Sequence, residues 1–280
     1  MQKIKVLIAG LPGKMATMLA ERLVDDEKYQ LIPVSFTGFE IPENSIEIKK
    51  RTGQIVTIGL IRPDKREAVI HEIKSTHPNL VIIDFTEPNA VVENCEFYCN
   101  HNIPFIMGTT GGNRDLLPTI VMKSETAAVI SPNMSPAIVL VMDMFGNAAD
   151  KYPDALKGFD LEIIESHQPT KKDISGTAQA IGKKLKILGV NYLGEKMIIA
   201  VRDKIRQLFM GIPREFIDAH GWHSYRVLSP DRSVFLKFEH NVNGRKTYID
   251  GTLVALDFLF KKINTGVSGK CFSMIDVLKG

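Results

Sequence analysis

The densest chemistry in the sequence is Glu165-Ser-His-Gln-Pro-Thr-Lys-Lys-Asp-Ile-Ser-Gly-Thr-Ala178. An imidazole, two ammonium groups, two carboxylates and a Ser-Gly-Thr turn fall in this one segment. An imidazole near its ordinary pKa of about 6.5 exchanges protons at neutral pH. An ammonium beside it neutralises negative charge that builds up during a reaction. A Ser-Gly-Thr turn that opens a helix can hold a carboxylate on its backbone N–H groups. Phe159–Ile164 before the segment alternates apolar and polar residues like a strand, and Ala178–Leu188 after it has helical spacing. The cluster is therefore expected on a loop between two rigid elements, with Glu165 closing the strand.

The rest of the chain has to hold that segment. Its 280 residues are 44% hydrophobic and 24% charged, as in a globular protein of one large or two ordinary domains. The net charge of +3 is scattered in pairs such as Lys49-Lys50, Lys183-Lys184 and Lys261-Lys262. Nucleic acid would need a denser basic stripe, so no nucleic-acid partner is expected. No apolar run approaches the ~18 residues that span a bilayer, so no membrane partner is expected either. Val6–Ala9 is too short for a signal-peptide core, which predicts a cytoplasmic protein or a mature organelle form. Cys95, Cys99 and Cys271 form no disulfide framework and read as buried reduced thiols.

Lys3–Ala9 reads as a buried strand and Met15–Val24 as a helix, with Gly10-Leu11-Pro12-Gly13-Lys14-Met15-Ala16 between them. Strand, glycine turn and helix are the setting in which a G-x-x-G-x-x-A pattern binds a dinucleotide. Gly10 supplies the tight turn, Gly13 the close approach to pyrophosphate and Ala16 the tight helix–strand packing. Pro12 stands where many such loops carry glycine. The second strand, Gln30–Phe36, is followed by no acid before Glu40. The hydroxyls of Ser35 and Thr37 stand at the position where a carboxylate would repel a 2′-phosphate, and Lys14 can reach that phosphate. The expected cofactor is NADPH, with NADH as the alternative. Ser35 and Thr37 equally suit simple turn hydrogen bonds.

Strands at Asn79–Thr86, Ile103–Met107 and Ala127–Ile130 alternate with helices, and Ser45–Leu60 holds one or two edge strands. The pattern predicts a Rossmann-like, doubly wound parallel sheet. Four polar turns then converge on one sheet edge: the glycine loop, Phe85-Thr86, Gly108-Thr109-Thr110 and Ser131-Pro132-Asn133-Met134. After Met134 the strands become amphipathic, at Gly158–Ser166, Trp222–Leu228, Ser233–His240 and Arg245–Asp250, with a turn at Asn241–Gly244. These predict a second, α+β domain with a mixed or antiparallel sheet. The expected division is residues 1–134 for the dinucleotide domain, 135–250 for the substrate-binding, catalytic and oligomerisation domain, and helices within 251–280, including Phe272–Leu278, packing back on the first. His71, His77 and His101 carry no surrounding pattern and read as surface or core residues. His220 and His223 read as a partly buried polar pair, and no metal site is expected.

The motifs Gly10-Leu-Pro-Gly-Lys-Met15, Asp84-Phe-Thr86, Met107-Gly-Thr-Thr-Gly-Gly112, Ser131-Pro-Asn-Met134, Glu165–Ala178, Phe238-Glu-His-Asn-Val-Asn-Gly-Arg245 and Met274-Ile-Asp-Val-Leu278 resemble those of the dihydrodipicolinate reductases, the plant-type branch above all. The resemblance covers nearly the whole chain. It implies a two-domain NAD(P)H-dependent reductase of lysine and diaminopimelate biosynthesis, a small cyclic dicarboxylate substrate, and a dimer or tetramer in the cytoplasm or plastid stroma. It places the catalytic pair on His167 and Lys171, and substrate contacts on Gln168, Ser175, Gly176 and Thr177. His167 then serves as proton donor and Lys171 as electrostatic partner or second acid, with Lys172 the neighbouring alternative. Two departures from many bacterial members are Gln168, where they have a second histidine, and a loop one residue shorter before Ser-Gly-Thr. Competing readings are another two-domain NAD(P)-dependent reductase and a non-catalytic NADP-binding regulator.

Overall fold

The structure, a computed structural model, describes residues 3–280. The chain forms two compact units: one from residues up to Ser135 plus Tyr248–Gly280, the other Pro136–Thr247.

The first unit begins β1 (Ile4–Ala9), α1 (Lys14–Leu23), β2 (Tyr29–Phe36), β3 (Ser45–Lys49), β4 (Ile55–Ile61) and α2 (Pro63–Thr76). It continues β5 (Leu80–Asp84), α3 (Val91–Asn100), β6 (Phe105–Met107), α4 (Leu117–Met122) and β7 (Ala127–Ile130). The second unit contains α5 (Pro136–Lys151), β8 (Asp160–His167), α6 (Gly176–Ile187), β9 (Ile198–Val201), α7 (Lys204–Phe209), β10 (His220–Leu228) and β11 (Phe235–Asn243). The chain then forms α8 (Lys246–Asn264), β12 (Lys270–Phe272) and α9 (Met274–Lys279).

The larger sheet has the order β12-β7-β6-β5-β1-β2-β4-β3 and is parallel except for the β3–β4 pair. Every residue of β5 is buried, as its uninterrupted apolar sequence requires when helices cover both faces. Leu7, Ile82, Ile70, Cys95, Phe105 and Leu117 belong to one core cluster, and each such leucine, isoleucine or phenylalanine contributes ~1.5–3 kcal/mol by leaving water. Strand order reverses between β1 and β5, the switch point where open α/β sheets bind ligands. The loops after β1, β5, β6 and β7 leave this sheet at one edge, as the four polar turns predict.

The smaller sheet has the order β11-β10-β8-β9, with β8–β10 and β10–β11 antiparallel and β8–β9 parallel. Leu161, Ile163, Tyr225 and Val227 cluster with Ala178, Ile181 and Leu185 of α6 on one face.

Four local expectations are corrected. His167 is the last residue of β8, not a loop residue, because β10 continues pairing as far as Gly221 opposite it. Arg245–Asp250 is not a strand: α8 starts at Lys246, since Ile249, Leu253, Leu256 and Leu259 are buried at helical spacing and packing overrides the β-branched composition. Asn241–Asn243 remain paired in β11, and the turn falls on Gly244 at φ +75°. Phe272 lies in β12, which pairs with β7, and Ser273 and Asp276 form a capping box that starts α9.

Candidate functional site

At the sheet edge of the first unit, Gly10 adopts φ +115°, and a Cβ there would stand 2.3 Å from the Phe85 carbonyl oxygen. Only glycine lets the loops after β1 and β5 approach so closely. A Cβ on Gly13 would stand 2.8 Å from the Gly10 carbonyl oxygen. The N-terminus of α1 has no side-chain cap and no acid in its first turn, and Pro12, Gly13 and Lys14 are exposed. These features fit a pyrophosphate on the helix N-terminus. Leu11 and Ala16 are buried and shape the loop from beneath, with Met15 half-buried.

Asp84, buried at the end of β5, ties the neighbouring turns together. Its Oδ1 accepts from the Thr86 N–H (3.0 Å), the Thr86 hydroxyl (2.8 Å) and the Thr109 hydroxyl (2.8 Å). Its Oδ2 accepts from Asn94 Nδ2 (3.0 Å) and the Tyr98 hydroxyl (2.8 Å). A lone acid in an otherwise apolar strand was the signal for this hub. A Cβ on Gly108 would meet the Phe85 ring at 2.3 Å, so Phe85 packs flush on that turn, with Thr110 exposed beyond it. Ser131 Oγ donates to the Asn133 carbonyl at 2.8 Å, which closes the turn containing exposed Pro132 and buried Met134.

The structure corrects the expectation that Ser35 and Thr37 present hydroxyls to the cofactor. Ser35 is 0% exposed, and Thr37 donates its proton to the Leu11 carbonyl at 2.6 Å. Both act as internal ties, and Lys14 is the exposed group of that set.

In the second unit, Glu165, His223 and His240 form a row across three adjacent strands, since β10 pairs His223 with Glu165 on one side and with His240 on the other. Strand alternation carries Glu165 inward beside Leu161 and Ile163, and the carboxylate is fully buried. Its Oε1 accepts from Arg202 Nη2 at 2.6 Å, and its Oε2 accepts from the Ser175 N–H at 3.1 Å. His167 Nδ1 lies 3.1 Å from Oε2, within ion-pair range but outside hydrogen-bond alignment. Burial alone would raise the Glu165 carboxyl, but His167 and Arg202 beside it prevail and hold it below the usual carboxylate range.

His167 is fixed on several sides. Its carbonyl accepts from Gln207 Nε2 at 2.7 Å, its ring meets the His223 ring at 5.0 Å, and a Cβ on Gly221 would stand 3.2 Å from its Nε2. Arg202 also donates to the Lys171 carbonyl (2.9 Å) and the Asp173 carbonyl (3.2 Å), so one guanidinium ties the loop to Glu165. Lys171 Nζ pairs with Asp173 Oδ2 at 2.6 Å, which leaves Lys172 as the exposed lysine of the two. Gln168 is half-buried, and its carbonyl accepts from the Lys171 N–H at 3.0 Å.

Ser175 caps α6: its Oγ accepts from the Ala178 N–H at 3.4 Å and lies 3.0 Å from His223 Nε2. At 5% exposure its hydroxyl shapes the turn, whereas Gly176 is exposed with open space where a Cβ would stand and Thr177 is half-buried. The donor atoms of Glu165, His167 and His223 lie within 4.8 Å of one another, but Arg202 already supplies the positive charge that an ion would bring to Glu165.

His220 and His223 are both buried but do not pair with each other: three residues apart on β10 they face opposite sides of the sheet, His220 Nε2 lying 2.9 Å from Ser166 Oγ and His223 Nε2 3.0 Å from Ser175 Oγ. Burial lowers the pKa of His220, lowers that of His223 well below the ordinary range with neighbouring positive groups adding to the effect, and lowers that of His240 to about 4. All three favour the neutral ring in the folded state. The unfolded chain, with histidines near 6.5, therefore binds more protons as pH falls below about 6.5. Urea midpoints should hold above pH 7 and decline between pH 6.5 and 5, by up to ~1.4 kcal/mol per pH unit for each such histidine. A flat profile across that window would show that the rings are free to protonate in place.

Comparison with known proteins follows the same two-part division. The family model described as dihydrodipicolinate reductase, N-terminus, matches residues 4–134, and the one described as dihydrodipicolinate reductase, C-terminus, matches residues 137–278. The chain is 41% identical over 276 residues to a protein named probable 4-hydroxy-tetrahydrodipicolinate reductase 1, chloroplastic, from Oryza sativa subsp. japonica, covering 98% of this chain and 78% of that one. It is 36% identical over 277 residues to 4-hydroxy-tetrahydrodipicolinate reductase 1, chloroplastic, from Arabidopsis thaliana, covering 99% and 78%. A solved structure, the dipicolinate-bound dihydrodipicolinate reductase from Paenisporosarcina sp. TG-14, shares the fold at TM-score 0.65 and 18% identity, covering 97% of this chain and 98% of that one. With both family models matched in order and relatives similar from end to end, the chain belongs to the dihydrodipicolinate reductase family.

Proposed function

We propose a division of labour among this chain's residues for the reduction of 4-hydroxy-tetrahydrodipicolinate to tetrahydrodipicolinate, the reaction for which its relatives are named. Family membership makes the chain an NAD(P)H-dependent oxidoreductase of lysine and diaminopimelate biosynthesis. The bound nicotinamide supplies the hydride. Gly10, Gly13 and the start of α1 hold its pyrophosphate, and Phe85, Thr86, Gly108 and Thr109 line the adjoining turns around Asp84.

His167 delivers the proton that completes the reduction. The observation that carries this role is the built setting of the ring: carbonyl held by Gln207, Nδ1 facing Glu165, and a glycine at position 221 whose Cβ would crowd Nε2 at 3.2 Å. The Glu165 carboxylate, 3.1 Å from Nδ1, orients the ring for the transfer. Lys171 supplies positive charge to the dicarboxylate. Gly176 and Thr177, in the first turn of α6, receive a substrate carboxylate, and Gln168 offers at most an amide contact. The second unit assembles the oligomer, and the compartment is the plastid stroma or the cytoplasm. Among the described residues no helix is long and apolar enough to cross a membrane.

The preferred cofactor is NADPH, with Lys14 as the exposed cation of the glycine loop. A coupled assay tests both statements: pyruvate and aspartate semialdehyde are fed through the preceding synthase, and nicotinamide absorbance is followed with each cofactor. Oxidation no faster than in the synthase-free control would defeat the reaction assignment. Lys14→Ala should raise KM for NADPH about fivefold and leave NADH nearly unchanged, because a single exposed ion pair contributes ~1 kcal/mol. Equal losses would remove Lys14 from the 2′-phosphate.

A further inference from the structure

We infer that Glu67, His71 and His101 form a site for a zinc-class divalent ion on the helices α2 and α3 of the first unit. Taken singly, the two histidines carry no pattern. The fold joins them through Glu67, which stands four residues before His71 on α2 and so shares its face. His101 caps the C-terminus of α3 and comes to that face from the neighbouring helix.

One donor atom from each residue lies within 4.8 Å of the other two. His101 Nε2 is 3.2 Å from the Glu67 carboxylate. Tetrahedral zinc with bonds of about 2.0–2.1 Å separates its ligands by roughly 3.4 Å, so that pair already has ligand spacing. The His71 and His101 rings lie 5.5 Å apart at 81°, and exposed His71 can turn its nitrogen inward without disturbing the core.

His101 is held in place before any ion arrives. Its side chain is 11% exposed, its ring packs on Phe97 at 4.6 Å, and its carbonyl accepts from Lys74 Nζ. The nearby cation Arg66 is occupied, with Nη2 on Glu93 at 2.6 Å, Nη1 on Asn94 at 2.7 Å, and its guanidinium 4.3 Å from the Phe97 ring centre. Two imidazoles and one carboxylate suit borderline ions such as zinc, and disfavour calcium and magnesium, which take all-oxygen sets. Three protein ligands leave a fourth position for water. An ion there joins α2 to α3, which pack in one core cluster through Ile70, Ile73, Val91, Cys95 and Phe97.

The test titrates the full chain, stripped of metal, with ZnCl2 by calorimetry, and with Co2+ by visible spectroscopy. The set comprises wild type, His71→Ala, Glu67→Gln, His101→Gln and, as a control for the triad Glu165–His167–His223, His167→Gln. One equivalent of zinc should bind to wild type and to His167→Gln, with the d–d bands of four-coordinate Co2+ in both. Each change at Glu67, His71 or His101 should weaken that equivalent by at least about tenfold. His71→Ala, being exposed, reports on the ligand without a folding defect, and its turnover in the metal-free state should equal wild type. No zinc binding by wild type, binding unchanged in His71→Ala and His101→Gln, or binding lost only in His167→Gln would each overturn the site.

Discussion

His167→Ala is expected to lower kcat by about 10²-fold or more while KM for the dicarboxylate stays within a few-fold of wild type. The ring is 15% exposed at the end of a paired strand, and its backbone is held by Gln207 and by pairing opposite Gly221. Deleting it removes the proposed proton donor and leaves β8 in place. Steady-state kinetics alongside urea unfolding separates these effects: kcat should fall far more than the unfolding midpoint, which drops only by the ring's contacts with Glu165 and His223. A loss confined to KM would make His167 a binding residue only. Lys171→Ala provides the contrast. Its ammonium pairs with exposed Asp173, so its removal should act mainly through substrate charge and raise KM.

Glu165→Ala should cost the second unit about 3–5 kcal/mol of stability. The carboxylate is completely buried and receives Arg202 and the Ser175 N–H, with His167 in ion-pair range. Alanine would strand the guanidinium and a buried N–H without their acceptor, and the costs of unpaired groups add to the lost contact. Because the folded carboxyl titrates below its unfolded value near 4.3, its contribution is complete at neutral pH and disappears only as pH falls through that lowered value. Glu165→Gln keeps the shape and one acceptor but no charge, and should fall between. Urea unfolding at pH 7.5 measures both. A midpoint for Glu165→Ala equal to wild type would mean that Arg202 and Ser175 find other partners.

Much of the first unit was legible because its physics is local. Uninterrupted apolar runs mark strands covered on both faces, and Gly10, Gly13 and the Gly108 turn mark where they end. The Ser-Gly-Thr start of α6 was legible in the same way. What escaped was tertiary. Arg202 reaches Glu165 across 37 residues, and His223 meets Ser175 across 48, separations that no periodicity spans. Glu165 itself could have been found, since strand alternation puts it in phase with Leu161 and Ile163. Ser35 and Thr37 sit where a cofactor-facing residue belongs, and only their burial shows that they face inward. The strand β12, three residues long, has too little sequence to show a period.

That short strand has a consequence for how the protein is made. Pro136–Thr247 is continuous in sequence, so all of its strands are synthesised before β12 is. The parallel sheet that precedes it cannot finish then, because β12 must pair with β7, whose Ala127–Ile130 backbone otherwise presents an open edge. Contacts closed across so long an insertion form slowly. During synthesis the first unit therefore stays unsealed after the whole second unit has emerged, and the β7 edge is the segment that a chaperone would have to guard until Lys270–Phe272 arrives.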